Sequence, residues 1–206
     1  FTKTFTETNL FTPVPKKIIN KYKNNFDIVI TWVDWSNKNF KKEMLDHGGH
    51  GSFPEEGKFL ELKYLIRSLI KHDVKFRKIF VVHSDNHPPP KYLKRDHDKL
   101  IFIPHSKIAK NKSDLPLIHR ESIIINLHRI PGLLENYFYL EDDMFIHNPN
   151  IFYKQLELFE NKKQIVFSAK LVTQKEINPE VSMGLWKLNW HNSNKIFKKY
   201  RVDENN

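Results

Sequence analysis

The sequence predicts an α/β fold, Rossmann-like, in which a mostly parallel sheet is flanked by helices. Three observations support this fold class: short runs of β-branched and aromatic residues recur along the chain, a segment with helical spacing separates the first two runs, and polar residues follow the ends of several runs. Near-continuous apolar runs are typical of strands that are buried on both faces, as in a parallel sheet. Strands that alternate with helices are typical of an α/β sandwich.

The predicted elements follow in chain order. The first strand is "FDIVITWVD" at 26–34, and the segment from Asn37 contains a helical turn followed by a loop rich in Gly and His. "FLELKYLIRSLIKH" at 59–72 places its apolar residues on one helical face. "PPP" at 88–90 excludes regular structure after the second strand. The remaining predictions are strands at 78–82, 100–104, 137–140 and 164–172, and helices at 121–130 and 184–200.

Composition limits the class of protein. The chain has 206 residues, of which 39% are hydrophobic, so one domain with a sizeable core is expected. The absence of cysteine excludes disulfides and thiolate chemistry and favours a reducing compartment. The formal net charge of +10 indicates either a solvated, lysine-rich surface or a field that attracts phosphate-bearing ligands. No helix-turn-helix, zinc-finger or RNP motif accompanies this charge, so we expect no nucleic-acid partner.

Membrane association is expected only through segments outside this sequence. No apolar run approaches the roughly 20 residues that a spanning helix needs. The sequence begins at Phe1 rather than Met, which leaves room for a leader or anchor before it.

Three consecutive acids, Glu141, Asp142 and Asp143, follow the predicted strand at 137–140. Adjacent carboxylates repel one another unless solvent or a positive group relieves them. One interpretation is a solvated strand end or a helix start, where carboxylates complement the helix dipole. The other is a divalent-cation site, because Mg²⁺ takes carboxylate oxygens together with substrate phosphates.

Other polar residues also follow predicted strands. Asp34 lies between Trp32 and Trp35 at the end of the first strand, and His83 and His105 follow the second and third. If the sheet is parallel, these residues and the acids share the carboxyl edge, where ligands bind in such sheets. The ordinary alternatives are a turn or cap for Asp34 and surface positions for the histidines.

Two arginines have a similar ambiguity. Arg67 lies beside the apolar face of the helix at 59–72, and Arg129 precedes the break at "PG". Each side chain either extends its stem along apolar surface or clamps a phosphate.

Several stretches together resemble the Stealth family, the hexose-1-phosphate transferases that include bacterial capsule polymerases and the lysosomal-enzyme GlcNAc-1-phosphotransferase. The first stretch is similar to the family's first block, the next six to its second block in the same order and spacing, and the last to the start of its third block. The stretches are "DIVITWVDWSN" (27–37), "ELKYLIRSL" (61–69), "RKIFVVHSDNHPPPKYL" (77–93), "LIFIPHSKIA" (100–109), "SDLP" (113–116), "LHRIPGL" (127–133), "FYLEDDMF" (138–145) and "WKLNWHNSNKIFKKYR" (186–201).

The resemblance implies an N-terminal arm at 1–25 and a Stealth-like catalytic domain at 26–206 that lacks the C-terminal part of the family domain. The sequence also departs from the family pattern. Trp35 and Asn37 replace a Gly and an Asp, Glu141 replaces the Asn of Asn-Asp-Asp, and Lys58 lies near the place of an acid. The usual Thr-Phe-Asn-Ser is Leu-Ile-His-Arg at 117–120. These departures suit either a piece of a longer enzyme or a degenerate paralogue.

The resemblance implies a reaction as well. Hexose-1-phosphate, for example GlcNAc-1-phosphate, would pass from a nucleotide sugar, with a UDP-hexosamine expected, to a hydroxyl of a glycan acceptor. Such a transfer requires alignment and neutralisation of phosphate charge. Asp142 and Asp143 would hold Mg²⁺ or Mn²⁺, and Asp34 would contact the nucleotide or support the metal. The expected compartment is the bacterial cytoplasm at the membrane, or the Golgi lumen in a eukaryote.

The remaining roles follow from the same resemblance. His105 would be the general base for the acceptor, since an ordinary histidine pKa of about 6.5 suits proton removal near neutrality. Arg67 and Arg129 would stabilise the developing phosphoryl charge. The alternatives are a metal-dependent glycosyltransferase that releases a nucleoside diphosphate and a catalytically dead glycan-binding module. The expected substrate contacts are Trp32, Asp34, Glu61, Arg120 and His128.

Overall fold

A four-stranded parallel sheet organises the residues described by the computed structural model, which are 13–48 and 60–162. Five α-helices and four strands are described here, with short 3₁₀ helices at His105–Lys107, Lys112–Asp114 and Leu127–Arg129. In chain order they are α1 (Lys16–Tyr22), β1 (Asp27–Trp32), α2 (Lys38–Asp46), α3 (Glu61–Lys71), β2 (Ile79–His83), β3 (Leu100–Pro104), α4 (Arg120–Ile124), β4 (Tyr137–Glu141) and α5 (Asn150–Lys162).

The strand order is β3-β2-β1-β4, and every neighbouring pair is parallel. The chain runs from β1 outward to β2 and β3, then returns to the opposite side of β1 as β4. The order therefore changes direction between β1 and β4, where Thr31 lies opposite Glu141. Such a switch point leaves a crevice beyond the carboxyl ends of the strands, which is the usual ligand site of open α/β sheets. The predicted Rossmann-like α/β fold class is confirmed.

Alternation along the strands supplies apolar side chains to both faces of the sheet. Ile28 and Ile30 face a cluster that α3 and α5 complete, whereas Val29 faces the opposite cluster. Both faces are thus covered, which explains why the strands are near-continuous apolar runs. The first cluster includes Leu62, Leu65, Leu69, Phe152, Tyr153 and Leu156, and the second includes Phe80, Val82, Ile123, Leu127 and Ile130.

A buried carboxylate fixes the amino edge of the sheet. Asp27 is fully buried and receives bonds from Arg77 at Nε (2.9 Å) and Nη2 (2.6 Å). It also accepts the backbone N–H groups of Lys78 (3.2 Å) and Leu134 (2.8 Å). Because these partners lead into β2 and β4, this one side chain aligns three strands, and their opposite ends finish together.

The four strands predicted up to residue 140 are confirmed, as is the helix predicted at 59–72, which spans Glu61–Lys71. The prediction of one continuous helix at 121–130 is wrong. α4 ends at Ile124, and a separate 3₁₀ turn follows at Leu127–Arg129. Consecutive β-branched residues disfavour a longer helix, and the turn brings Leu127 and Ile130 onto the sheet.

Two helices were not predicted, and two predictions lie outside the described residues. α1 lies within the segment expected to be an arm, where Val14 and Tyr22 join the core. α5 follows the acid run and adds Phe152, Tyr153 and Leu156 to the same cluster. The strand predicted at 164–172 and the helix predicted at 184–200 fall outside the described ranges. Within those ranges, none of the helices combines the length and apolarity required to traverse a bilayer.

Candidate active site

Two clefts open beyond the carboxyl ends of β1 and β4. The larger cleft has a volume of about 550 Å³ and the smaller cleft about 340 Å³. Both volumes lie in the range of about 300–1,000 Å³ that is common for ligand pockets. The two clefts share four lining residues, Trp32, Val33, Trp35 and Asp142. Asp142 is therefore the carboxylate that both clefts have in common.

The larger cleft lies between the β1–α2 loop, the start of α3 and the strip at 88–92. Its charged lining residues are Asp34, Glu61, Asp142 and Lys91. Burial raises the pKa of Tyr92 to about 12, and the negative charges of Asp142, Asp34 and Glu61 add to the shift. The Tyr92 hydroxyl therefore stays protonated at neutral pH and is available as a hydrogen-bond donor. The other lining residues are Trp32, Val33, Trp35, Ser36, Asn37, Leu60, Leu62, Pro88, Pro89 and Pro90.

The smaller cleft combines an apolar wall with charged residues from the end of β4. Arg120, at the start of α4, donates to Glu141 at 2.7 Å. Its guanidinium also lies 3.6 Å from Glu121. Flat aromatic surface beside carboxylates suits a ligand that combines apolar faces with hydroxyl donors. The remaining lining residues are Thr31, Trp32, Val33, Trp35, Phe40, Met44, Ile118, His119, Ile123, Asp142 and Asp143.

The loop between β1 and α2 is held by its own polar side chains. Asp34 Oδ1 accepts the backbone N–H of Ser36 at 3.0 Å, and the Ser36 hydroxyl donates to the same oxygen. Asn37 caps α2, because its Oδ1 accepts the N–H groups of Asn39 (2.9 Å) and Phe40 (3.1 Å). Asp34 is therefore both a turn residue and part of the wall of the larger cleft.

Asp142 has the most crowded carboxylate of the site. Burial raises its pKa to about 7, and the nearby carboxylates of Glu61, Asp143 and Glu141 contribute, while its own backbone N–H acts in the opposite direction. A group with this pKa exchanges its proton near neutrality, and a bound cation would relieve the crowding.

This site offers a divalent cation two adjacent carboxylates as ligands, Asp142 and Asp143. Within residues 13–48 and 60–162, no three His, Asp or Glu side chains are placed to hold a metal together. Mg²⁺ commonly uses one or two carboxylates, keeps several waters and binds substrate phosphates. Asp142 and Asp143, adjacent at the end of β4, fit that kind of site better than an all-protein metal cage.

His105 lies at the same edge of the sheet but apart from both clefts. It follows β3, three strand spacings from β4, or about 14 Å. The side chain is 2% exposed, and its Nε2 has no hydrogen-bond partner among the described residues. Burial lowers the pKa of His105 to about 4, and the charges of His83 and His87 act in the same direction against that of Asp85. The ordinary pKa assumed for a general base therefore does not apply.

The other predicted residues separate into two groups. Trp32, Asp34, Glu61 and Arg120 line the clefts together with Asp142 and Asp143. Three others are not among the described residues that line them. Arg67 is exposed on α3 with its guanidinium 5.9 Å from the Tyr64 ring centroid. His128 and Arg129 are exposed in the 3₁₀ turn that leads towards the amino end of β4.

Several lining residues were missed by sequence reasoning. Tyr92 follows the prolines at 88–90, which the sequence presents only as a break in regular structure. Phe40 and Met44 lie on α2, and the spacing of four residues places them on one helical face. That spacing is the signal that could have identified them.

Comparisons with known proteins agree with the sequence motifs. The family model of Stealth protein CR2, conserved region 2, matches residues 58–167, which is 110 of the 206 residues. The exopolysaccharide phosphotransferase SCO2592 of Streptomyces coelicolor is 32% identical over 146 residues, covering 66% of this chain and 15% of that protein.

Two further relatives are also named exopolysaccharide phosphotransferases. The exopolysaccharide phosphotransferase SCO6021 of Streptomyces coelicolor is 34% identical over 129 residues, covering 60% of this chain and 24% of that protein. The exopolysaccharide phosphotransferase CpsY of Mycobacterium tuberculosis is 31% identical over 132 residues, covering 61% of this chain and 24% of that protein. The chain thus spans at most about a quarter of the length of these relatives.

Proposed function

This chain belongs to the Stealth family, and on that premise we propose that it takes part in sugar-phosphate transfer during exopolysaccharide synthesis. The names of its relatives support the reaction class. The observation that carries the proposal is the position of Asp142, which lines both clefts at the switch point of the sheet. A transfer between two substrates needs two binding spaces that meet at one reacting centre.

The proposed donor is a nucleotide sugar, with a UDP-hexosamine such as UDP-N-acetylglucosamine as the expected substrate. A hydroxyl oxygen of a glycan acceptor attacks the phosphorus next to the sugar and forms a new O–P bond. The bond from that phosphorus to the bridging oxygen of the diphosphate breaks. A nucleoside monophosphate leaves, and the proton of the acceptor hydroxyl passes to a base.

We assign the larger cleft to the donor and the smaller cleft to the acceptor. The larger cleft offers Lys91 for phosphate charge and the Tyr92 hydroxyl as a donor, beside Asp34 and Glu61. Asp142 and Asp143 are the residues that would hold Mg²⁺ or Mn²⁺, which would supply neutralisation of the diphosphate charge. The smaller cleft offers the half-buried rings of Trp32 and Trp35 as surfaces for sugar rings.

The base is assigned by position. His119 is the imidazole among the described lining residues of the smaller cleft, whereas His105 is buried elsewhere at this edge. We therefore propose His119 in place of His105 as the group that takes the acceptor proton. His119→Ala should lower the turnover number by roughly 10²–10⁴-fold. His105→Ala should lower turnover only as far as it lowers the folded fraction, and the reverse result would restore His105 to that role.

The decisive experiment identifies the nucleotide product. The complete gene product is incubated with UDP-N-acetylglucosamine, a panel of oligosaccharides and Mg²⁺, and the released nucleotide is separated by chromatography. We expect uridine monophosphate, and we expect Asp142→Ala to abolish its release. Uridine diphosphate as the main product would establish a glycosyltransferase instead. If no nucleotide is released but the protein still binds a glycan, the protein is the catalytically dead glycan-binding module instead.

A further inference from the structure

We propose that His87 is a positioning residue for both clefts: its buried ring sets the place of Trp32 and Phe40 in the smaller cleft and of the Asp34 backbone in the larger one. His87 lies on the β2–β3 connection and is 1% exposed. It is not among the described residues that line either cleft. The consequence for substrates rests on the function proposed above, whereas the consequence for the two clefts does not.

The contacts of His87 reach both clefts. The backbone N–H of Asp34 donates to His87 Nε2 at 3.4 Å, a long bond. The Trp32 ring lies 5.0 Å from the imidazole, with an interplanar angle of 84°. The Phe40 ring lies 5.6 Å away at 80°. Edge-on pairs at these distances are favourable aromatic contacts. One imidazole therefore contacts the end of β1, the following loop and α2.

The hydrogen bond of best geometry that the His87 ring makes is the one at Nε2. Because Nε2 accepts a hydrogen bond, the proton of the neutral ring lies on Nδ1. Nδ1 is buried and makes no hydrogen bond of good geometry among the described residues; the ring's other polar neighbours are the backbone groups of Pro88 and His87. An unsatisfied buried donor costs stability, so an apolar side chain of similar size would suit packing alone better. The bond to Asp34 is what distinguishes histidine from such a side chain.

The chain after His87 transmits its position to the larger cleft. The next three residues are prolines, and Pro88, Pro89 and Pro90 all line that cleft, followed by Lys91 and Tyr92. Proline fixes its own φ and restricts the residue before it, so this strip is stiff. The anchored imidazole therefore restricts where this proline strip begins in the wall of the larger cleft.

Two substitutions separate the two uses of the ring. His87→Phe keeps an aromatic ring against Trp32 and Phe40 but removes the acceptor for the Asp34 N–H. His87→Gln supplies an amide oxygen near the place of Nε2 but removes the ring. His97→Phe is the matched control, because His97 lies on the same connection and is exposed.

The first set of measurements needs no substrate, and its first experiment uses the unsubstituted chain. Long-range ¹H–¹⁵N spectra of the wild-type chain should show His87 with its proton on Nδ1 and an unprotonated Nε2 that accepts a bond. Hydrogen exchange of the Asp34 amide should be roughly tenfold faster in His87→Phe and close to wild type in His87→Gln and His97→Phe. The packing of Trp32, followed by nuclear Overhauser contacts of its indole ring, should change in His87→Gln and be retained in His87→Phe.

The second measurement concerns substrates. In the complete gene product, His87→Phe should raise KM for UDP-N-acetylglucosamine roughly tenfold with a smaller effect on kcat, and His87→Gln should restore part of the loss. Absence of any transfer would count against the proposed function and leave the spectroscopic results standing. A proton on His87 Nε2 in the wild type, or unchanged Asp34 exchange in a folded His87→Phe variant, would overturn the proposal for His87 itself.

Discussion

Arg120 Nη1 lies 2.7 Å from Glu141 Oε1 in the wall of the smaller cleft, joining the start of α4 to the end of β4. Both residues occupy positions where the sequence departs from the Stealth pattern, which has Ser and Asn at the corresponding places. The sequence presents these as two separate departures. The structure brings the two positions together as one ion pair.

The coupling of these two positions can be measured with a double-mutant cycle. For the proposed transfer, Arg120→Ser and Glu141→Asn should each lower kcat/KM several-fold, because each removes one partner of the shortest ion pair in the cleft wall. The double variant should regain most of the loss. The coupling in unfolding free energy should stay below about 1 kcal/mol, since the Arg120 side chain is 56% exposed. Glu121→Gln removes the longer contact of Arg120, at 3.6 Å, and should have a smaller effect; strictly additive losses for Arg120→Ser and Glu141→Asn would contradict the coupling.

The raised pKa of Asp142 predicts that the folded chain loses stability as pH rises towards neutrality. The pKa is raised from 3.8 to about 7 in the folded chain. Between these values the folded state binds more protons than the unfolded state, so this group lowers stability progressively as pH rises from about 4 to 7. Asp142→Asn should therefore raise the thermal midpoint at pH 7.5 and leave it nearly unchanged at pH 3.8. A variant that is less stable than wild type at pH 7.5 would contradict this.

The lowered pKa of His105 makes stability change with pH in the opposite direction. Its pKa is lowered from 6.5 to about 4, so between these values the unfolded state binds more protons. The folded state therefore loses stability as pH falls from about 6.5 towards 4. His105→Leu should flatten that acid limb in thermal unfolding while changing the midpoint little at pH 7.5. His128→Gln, at an exposed histidine, should leave the limb intact, and an unchanged limb in His105→Leu would refute the assignment.

The strands were predictable because their signal is local. Ile28, Val29 and Ile30 are adjacent apolar residues in a sheet covered on both faces, and such a run has few other uses. α5 carries an equally local signal in Phe152, Tyr153 and Leu156, but aromatic residues also favour strands. The helix is recognised once its apolar side chains are seen to pack on one face of the sheet.

The site was predictable only where strand ends define it. Asp34 and Asp142 follow β1 and β4, and the parallel sheet brings them to the same cleft. Tyr92 reaches that cleft because a loop folds back from β2, which is a tertiary effect with no local pattern. His105 obeys the strand-end rule but follows an outer strand, so the same rule leaves it outside the described lining of both clefts.

The adjacent carboxylates at the end of β4 predict stabilisation by a divalent cation. A cation that binds only the folded chain at ten times its Kd should raise the thermal midpoint by roughly 3–6 °C. We expect this rise with Mg²⁺ or Mn²⁺ relative to EDTA at pH 7.5. At pH 5.5 the rise should be smaller, because Asp142, with its raised pKa, is then mostly protonated and must release its proton to bind the cation. Asp142→Asn with Asp143→Asn should remove the rise. Asp96→Asn with Asp98→Asn, an exposed acidic pair on the β2–β3 connection, should retain it. An equal rise in both double variants would reduce Asp142 and Asp143 to a solvated strand end.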